Sequence, residues 1–243
     1  MKAVILAAGI ASRLRPLTDD MPKCLLKVGS KNLLERTIDA LILNGLHEIV
    51  IVTGYLQEKI RQFVSETYPE LNVEYIYNQR YESTNNIYSL WLVKESVKNQ
   101  NILLLDSDIL FEPAIIASLL SASYPDCLAV NKHDLGEEEI KVIVDSTNRI
   151  MEISKTCSIE QAMGESIGIE KMSDNFVKSL FSELDVMIVE KKQDDIFYEA
   201  AFENIIRKGA DMYAVDTTSF FSMELDTVED FQTACSRIPA NMC

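Results

Sequence analysis

Histidine, cysteine and basic residues are all scarce in this chain, and each shortage removes a class of chemistry. The 243 residues include two histidines, His47 and His133, far apart in sequence. A histidine-based metal site or a Ser-His-Asp triad therefore has little to draw on. The five cysteines, at 24, 127, 157, 235 and 243, are odd in number and form no C-x-x-C pair. Neither a disulfide framework nor a structural zinc site is indicated, and the thiols read as core fillers or incidental thiols. Lys and Arg number 23 against 38 Asp and Glu, a formal net charge of −15. Binding a polyanion requires a basic surface, so nucleic acid is not expected as a partner. A small anionic substrate stays compatible where a few Arg or Lys residues and a divalent cation gather locally.

Long apolar runs are also missing. No stretch approaches the length of a membrane span, and Met1-Lys2-Ala3 enters a strand at once, so neither a membrane segment nor a cleavable signal is expected. A cytoplasmic location follows as the default. No internal repeat, Pro/Gly/Ser-rich linker or low-complexity segment marks a domain boundary. With 47% hydrophobic residues the chain has ample material for one large α/β domain.

Apolar runs and helical patterns alternate through the first half: strand 2–7, helix 31–45, strand 48–53, helix 56–67, strand 72–77, helix 86–98, strand 101–106, helix 113–121. This is the rhythm of a doubly wound, mostly parallel sheet. In the second half 127–131, 140–144 and 149–153 read as strands, followed by helices near 173–190 and 195–208. A last helix near 227–237 is expected to pack back on the sheet. Glu137, Glu138 and Glu139 read as a solvated loop.

The most informative segment is KAVILAAGIASRLRPLTDDMPK, Lys2 to Lys23. A short apolar strand runs into Ala7, Ala8 and Gly9, whose small side chains leave backbone N–H groups open to an anion. Arg13 and Lys23 add fixed positive charge, and Pro16 and Pro22 hold the stretch between them as an ordered loop. A second feature is Asp106-Ser107-Asp108, where the buried strand 101–106 leaves the core. Two carboxylates so placed repel each other unless a cation lies beside them, which suggests a divalent ion; the bland alternative is that one caps the helix near Pro113. A third is Glu224-Leu225-Asp226 before the last helix, where Asp226 is equally suited to cap that helix with Glu229 completing a capping box. Gly9 and the Asp pair both lie at carboxyl ends of strands, where ligands bind in open α/β sheets.

The loop resembles the G-x-G-x-R-x-x-P-x-T-x-x-x-P-K signature of nucleotidyltransferases that join a nucleoside triphosphate to a phosphorylated small molecule. Gly9, Arg13, Pro16, Thr18, Pro22 and Lys23 fall on it. Ala11 replaces the second glycine, and its methyl is expected to crowd the backbone approach to a triphosphate. Thr84-Asn85-Asn86-Ile87-Tyr88-Ser89-Leu90 resembles the run that lines the cytosine pocket of bacterial phosphocholine cytidylyltransferases. EEEIKVIVDSTNRIMEISK, GESIGI, YEAAFENII and ELDT extend the likeness over nearly the whole chain, toward the branch that uses phosphocholine, phosphoethanolamine or 2-aminoethylphosphonate.

The resemblance implies a Rossmann-like, GT-A-like fold in a single nucleotidyltransferase domain over 1–243, with a nucleotide-binding half of about 1–125 and an acceptor-binding half of about 126–243. It implies transfer of CMP from CTP to a small zwitterionic phosphate or phosphonate with release of pyrophosphate, and it allows a homodimer. Lys23 and Arg13 are the implied catalytic cations. Leu6, Ala8, Gly9, Thr84, Asn85, Asn86, Ser89 and Asp106 would bind the nucleotide, and Asp108 and Asp226, supported by Asp106 and Glu224, would hold Mg²⁺. Lys155, with Lys141 as a second candidate, would meet the acceptor's phosphorus group. Glu165, with Glu199 and Glu203 as further candidates, would balance an ammonium, with Tyr88 or Tyr198 as an aromatic wall. Glu199 and Glu203 also fit an exposed i, i+4 helix face. A sugar 1-phosphate nucleotidyltransferase using UTP or dTTP is the nearest alternative, and a non-catalytic nucleotide-binding regulatory module is the alternative of another class.

Overall fold

In the computed structural model, which describes residues 1–242, the elements follow in chain order. They are β1 (Lys2–Ala7), β2 (Lys27–Val28), β3 (Lys31–Asn32), α1 (Leu33–Leu43), β4 (Ile49–Thr53), α2 (Gln57–Thr67), β5 (Val73–Tyr77) and α3 (Asn86–Leu92). Then come β6 (Ile102–Asp106), β7 (Ile109–Phe111), α4 (Ala114–Ser121), β8 (Cys127–Asn131), β9 (Lys141–Val144), β10 (Ile150–Ser154) and β11 (Gly164–Met172). The chain closes with α5 (Asp174–Leu184), a π-type turn (Asp185–Glu190), α6 (Glu199–Arg207), β12 (Tyr213–Asp216), β13 (Ser222–Glu224) and α7 (Val228–Arg237).

Nine strands form one mixed sheet in the order β10-β9-β11-β6-β1-β4-β5, with β8 beside β11 and β12 beside β8. Its first-half portion is parallel: β1 lies between β4 and β6, and β4 pairs β5. Both faces are covered, as the doubly wound reading requires. Alternate residues of β1 divide between the layers: Val4 and Leu6 face α3, α5 and α6, while Ala3, Ile5 and Ala7 face α1, α2 and α4. Continuous apolar strands result because both sides need filling. Each fully buried Ile or Leu contributes about 1.5–3 kcal/mol.

Three expectations change. The long strand β11 was not foreseen, although it joins the parallel half to the rest; its sequence GESIGIEKM carries buried Glu170 and Lys171, which local patterning reads as surface. Each finds a distant partner: Glu170 Oε1 lies 3.2 Å from the Tyr198 hydroxyl, and Lys171 Nζ donates to the Ala122 carbonyl at 3.0 Å. The helix expected over 86–98 ends at Leu92 and continues as turns. Finally, α7 does not pack on the main sheet. Its Phe231 and Ala234 join Leu14, Val28, Leu33, Leu110 and Leu225 in a separate small core. That core docks the C-terminal helix onto the loop after β1.

Among the described residues no helix is long and apolar enough to cross a membrane. Cys24, Cys127 and Cys157 are buried free thiols and Cys235 is an exposed one, and Cys243 lies outside the described residues.

Candidate active site

The loop after β1 is built to present two cations. Ala11 has φ 52° and ψ 52°, the left-handed conformation that favours glycine. The methyl at this position therefore acts on the backbone's own conformation, which the crowding argument did not foresee. The Ala11 carbonyl accepts from Leu14 N–H at 3.0 Å and from the fully buried Thr18 hydroxyl at 2.9 Å, which staples the loop across seven residues. A short turn at Ser12–Leu14 drops Leu14 into the small core and leaves Arg13 facing outward. A second turn, opened by Pro22, buries Cys24 and Leu25 and turns Lys23 toward a cavity. At Gly9 a Cβ would meet nothing within 4 Å, so the backbone there borders open space.

Three carboxylates converge on the same place. Asp106 ends β6, and the turn through Asp108 leads into β7. Because β13 pairs antiparallel with β7, with Glu224 opposite Ile109, Glu224 and Asp226 arrive beside Asp108, and Leu225 N–H donates to the Asp108 carbonyl at 3.0 Å. One oxygen each of Asp108, Glu224 and Asp226 lies within 4.8 Å of the others. Lys23 Nζ donates to Asp108 Oδ2 at 2.9 Å and to Asp226 Oδ1 at 2.6 Å, and Arg13 Nη2 reaches Asp226 Oδ2 at 2.5 Å. Burial lowers the Lys23 pKa, but Asp108 and Asp226 outweigh it and hold it above the ordinary lysine value. Burial likewise acts to raise Asp226, and Lys23 and Arg13 reverse this to hold its carboxyl below the usual range. Glu224, without such a partner, is pushed up to about 8 by burial and by Asp108 and Asp226. A set of three convergent carboxylates, of which Glu224 has no cationic partner, fits a hard divalent cation.

Both capping alternatives are overturned. The N-cap of α7 is Thr227, with Asp230 completing the capping box and accepting from the N–H groups of Asp226 and Thr227. Asp226 and Glu229 are not the pair that caps it. No side chain caps α4 at Pro113, so neither Asp106 nor Asp108 has that role.

A cavity of about 900 Å³ extends from these carboxylates and is lined by residues of both halves. Leu6, Ala8, Gly9, Thr84, Asn85, Asn86, Ser89 and Asp106 all border it. Asn85 caps α3, its side chain accepting from Asn86 N–H at 2.8 Å, and Asn86 Oδ1 accepts from Tyr198 N–H at 3.0 Å. Sequence reasoning missed Asn78, which is 1% exposed and donates from Nδ2 to Thr84 Oγ1 and Ser89 Oγ, both at 3.1 Å. Its position just past the carboxyl end of β5 was the available signal. Gly168 was missed as well: it has φ +72°, and a Cβ there would lie 2.6 Å from Asp106 Oδ2. The second glycine of GESIGI thus makes room for that carboxylate.

In the second-half wall, Lys155, Glu165 and Glu199 border the cavity and Lys141 does not. Lys141 is 2% exposed and donates from Nζ to the carbonyls of Gly136, Glu137 and Glu139, so it secures the 136–139 loop from beneath. That loop is not simply a solvated run, because Glu138 and Glu139 border the cavity and Glu138 Oε2 accepts from Lys155 Nζ at 3.2 Å. Glu165 pairs with His133 Nε2 at 2.8 Å, and burial pushes its pKa up. Glu199 and Glu203 do not form one exposed face. Glu203 is paired with Arg207 at 2.7 Å, whereas Glu199 is 6% exposed and pushed to about 7 by burial.

Neither proposed tyrosine walls the cavity. Tyr88 packs at a tilt against Trp91 and lies under Arg80, and Tyr198 is fully buried with its hydroxyl 3.0 Å from Asp106 Oδ2. Phe197, overlooked in the sequence, borders the cavity instead, with Lys155 Nζ 4.6 Å over its ring.

Known proteins resemble this chain in sequence and in fold. The sequence model of the nucleotidyl transferase family matches residues 2–125. The chain is 34% identical over 217 residues to choline-phosphate cytidylyltransferase of Streptococcus pneumoniae, covering 81% of this chain and 92% of that protein. It is 33% identical over 107 residues to 2-aminoethylphosphonate cytidylyltransferase of Lancefieldella rimae, covering 44% of this chain and 42% of that one. The solved CTP:phosphocholine cytidylyltransferase from Streptococcus pneumoniae superposes with a TM-score of 0.80 at 26% identity, over 98% of this chain and 99% of that chain.

Proposed function

The chain belongs to the nucleotidyl transferase family, and we propose that it acts there as a cytidylyltransferase, moving CMP from CTP to a small phosphorylated amino-alcohol or aminoalkylphosphonate and releasing pyrophosphate. One observation carries the reading: Lys23, held by Asp108 and Asp226, borders the same cavity as the polar start of α3 and the second-half wall of Lys155 and Glu199. A cation beside the carboxylates, an amide-rich wall suited to a pyrimidine edge and a mixed-charge wall suited to a zwitterion are the three recognitions this reaction needs. The chain acts as one domain, residues of about 1–125 taking the nucleotide and those of about 126–243 the acceptor.

Both reactants are anions, so the protein's task is to align them and offset charge that accumulates on the phosphates. Lys23, protonated at neutral pH, does this from within the carboxylate cluster, and Arg13 does it from the rim. The open backbone at Gly9 admits a triphosphate. Asp108, Asp226 and Glu224 would hold Mg²⁺, which when bound shields charge on the nucleotide's phosphate oxygens. Lys155 meets the acceptor's phosphorus group. A general base is unnecessary because the attacking oxygen is already ionised at neutral pH.

The test is pyrophosphate release by purified protein with Mg²⁺ over CTP, UTP and dTTP, each paired with phosphocholine, phosphoethanolamine, 2-aminoethylphosphonate and glucose 1-phosphate. Turnover confined to CTP with an amine-bearing acceptor is expected. Turnover of glucose 1-phosphate with UTP or dTTP in its place would overturn the proposal.

A further inference from the structure

We propose that the acceptor's nitrogen must carry at least one N–H, so that this protein takes a primary or partly methylated ammonium in preference to a trimethylammonium, and that Glu199 is the residue that reads the difference. The inference rests on the cytidylyltransferase reading above and narrows its acceptor.

A cationic nitrogen can be held out of water in two ways. A quaternary ammonium has no donor and is held by aromatic faces; an ammonium with N–H bonds is held by oxygen acceptors that take those hydrogens. The cavity is poor in the first kind of wall. Among the described residues that border it, the aromatic ones besides His133 are Tyr81 and Phe197. Tyr81 belongs to the first-half wall, where its Cβ would lie 2.7 Å from a Cβ placed on Gly54. Phe197 stands alone in the second-half wall and already has the Lys155 ammonium 4.6 Å over its ring. A trimethylammonium arriving there finds a single ring with a like charge upon it.

The second kind of wall is present and unfinished. The neighbouring carboxylates are already engaged: Glu165 by His133, Glu138 by Lys155 and Glu139 by the Gly136 N–H. Glu199 is the exception. It is 94% buried, borders the cavity at the first turn of α6 two residues from Phe197, and its Oε2 has no hydrogen-bond partner among the described residues. A buried acceptor without a donor is costly, and a ligand N–H supplies that donor. A trimethylammonium would bring charge and leave the oxygen unmatched. Sites that depend on a polar match discriminate strongly against an analogue lacking the matching group.

The experiment measures kcat/KM for pyrophosphate release with CTP and the full chain across a methylation series: phosphoethanolamine and its N-methyl, N,N-dimethyl and N,N,N-trimethyl forms. A modest decline over the first three and a drop of at least about tenfold at the last step, where the final N–H disappears, is expected. Glu199→Gln should shrink that drop and raise KM for the amine acceptors several-fold while CTP KM stays within about twofold. Circular dichroism checks the fold of the variant, and Glu199→Asp, which keeps the carboxyl group but withdraws it by one methylene, should fall between the two. An even decline across the series, equal or better use of phosphocholine, or an unchanged drop in folded Glu199→Gln would each overturn the inference while leaving the cytidylyltransferase reading standing. Turnover of glucose 1-phosphate in place of all four acceptors would overturn both.

Discussion

Lys23 Nζ lies 2.6 Å from Asp226 Oδ1, a contact that spans 203 residues of sequence. It joins the loop after the first strand to the segment before the last helix, and the small core around Leu14, Leu225 and Phe231 holds the two together. Charge placement and packing are therefore one device at this corner of the molecule.

Lys23→Ala should leave the fold intact and lower kcat by at least about 100-fold, because it removes a preorganised cation from where phosphate charge builds up. Steady-state kinetics with circular dichroism as a control make the check. Near-normal turnover in the folded variant would remove Lys23 from the catalytic assignment.

Asp226→Asn removes the partner shared by Lys23 and Arg13 and one of three candidate metal carboxylates. Turnover should fall sharply, and the Mg²⁺ concentration for half-maximal rate should rise at least about tenfold. Titrating the wild type and the variant with Mg²⁺ after chelator treatment separates the two effects. An unchanged Mg²⁺ requirement would mean that Asp226 serves Lys23 and Arg13 alone.

Ala11→Gly should stabilise the protein. A left-handed backbone costs a non-glycine residue about 1–2 kcal/mol, partly offset by the greater flexibility of unfolded glycine. The net gain should raise Tm by about 1–3 °C for a chain of this size, with CTP KM unchanged or lower. A lower Tm or a large rise in CTP KM would show that the loop needs the methyl group.

Glu199 makes stability depend on pH. Burial raises its pKa to about 7 in the folded protein, so the native state holds a proton that the unfolded chain releases near its ordinary value. Its contribution is fully present below about pH 4.5 and is lost as pH rises through about 7, on the order of 3 kcal/mol in all. Glu199→Gln should flatten Tm across pH 5–8 and exceed wild-type stability at the upper end. Parallel Tm profiles for the two proteins would place the pH sensitivity elsewhere.

Much of the first half was legible locally. Strands filled on both faces read as continuous apolar runs, as β1, β4 and β6 do, and the helices between them carry apolar residues at helical spacing. Those patterns repeat within a few residues, so no distant partner is needed to read them. Lys23, Asp108 and Asp226 were nameable as a set through the resemblance to nucleotidyltransferases, since all three fall on motifs of that family in the same order along the chain. The second half resisted the same reading because its polar residues are matched at long range. Lys141 looks like a free cation until the carbonyls of the 136–139 loop close around it. Glu199 and Glu203 look equivalent on a helix until one is buried and the other meets Arg207.

Sequence alone determined the alternation of strand and helix, the cation-bearing loop and the carboxylates at the strand ends, because each is written in neighbouring residues and in the intrinsic chemistry of Gly, Pro, Lys and Asp. Tertiary structure decided which of those charges remain available. Glu170 and Lys171 can lie inside a central strand only because Tyr198 and the Ala122 carbonyl meet them there, and Asp226 can face Lys23 only because Thr227 and Asp230 cap α7 in its place. A buried polar or ionisable group is tolerated when a partner is brought to it, and only the folded chain brings partners together.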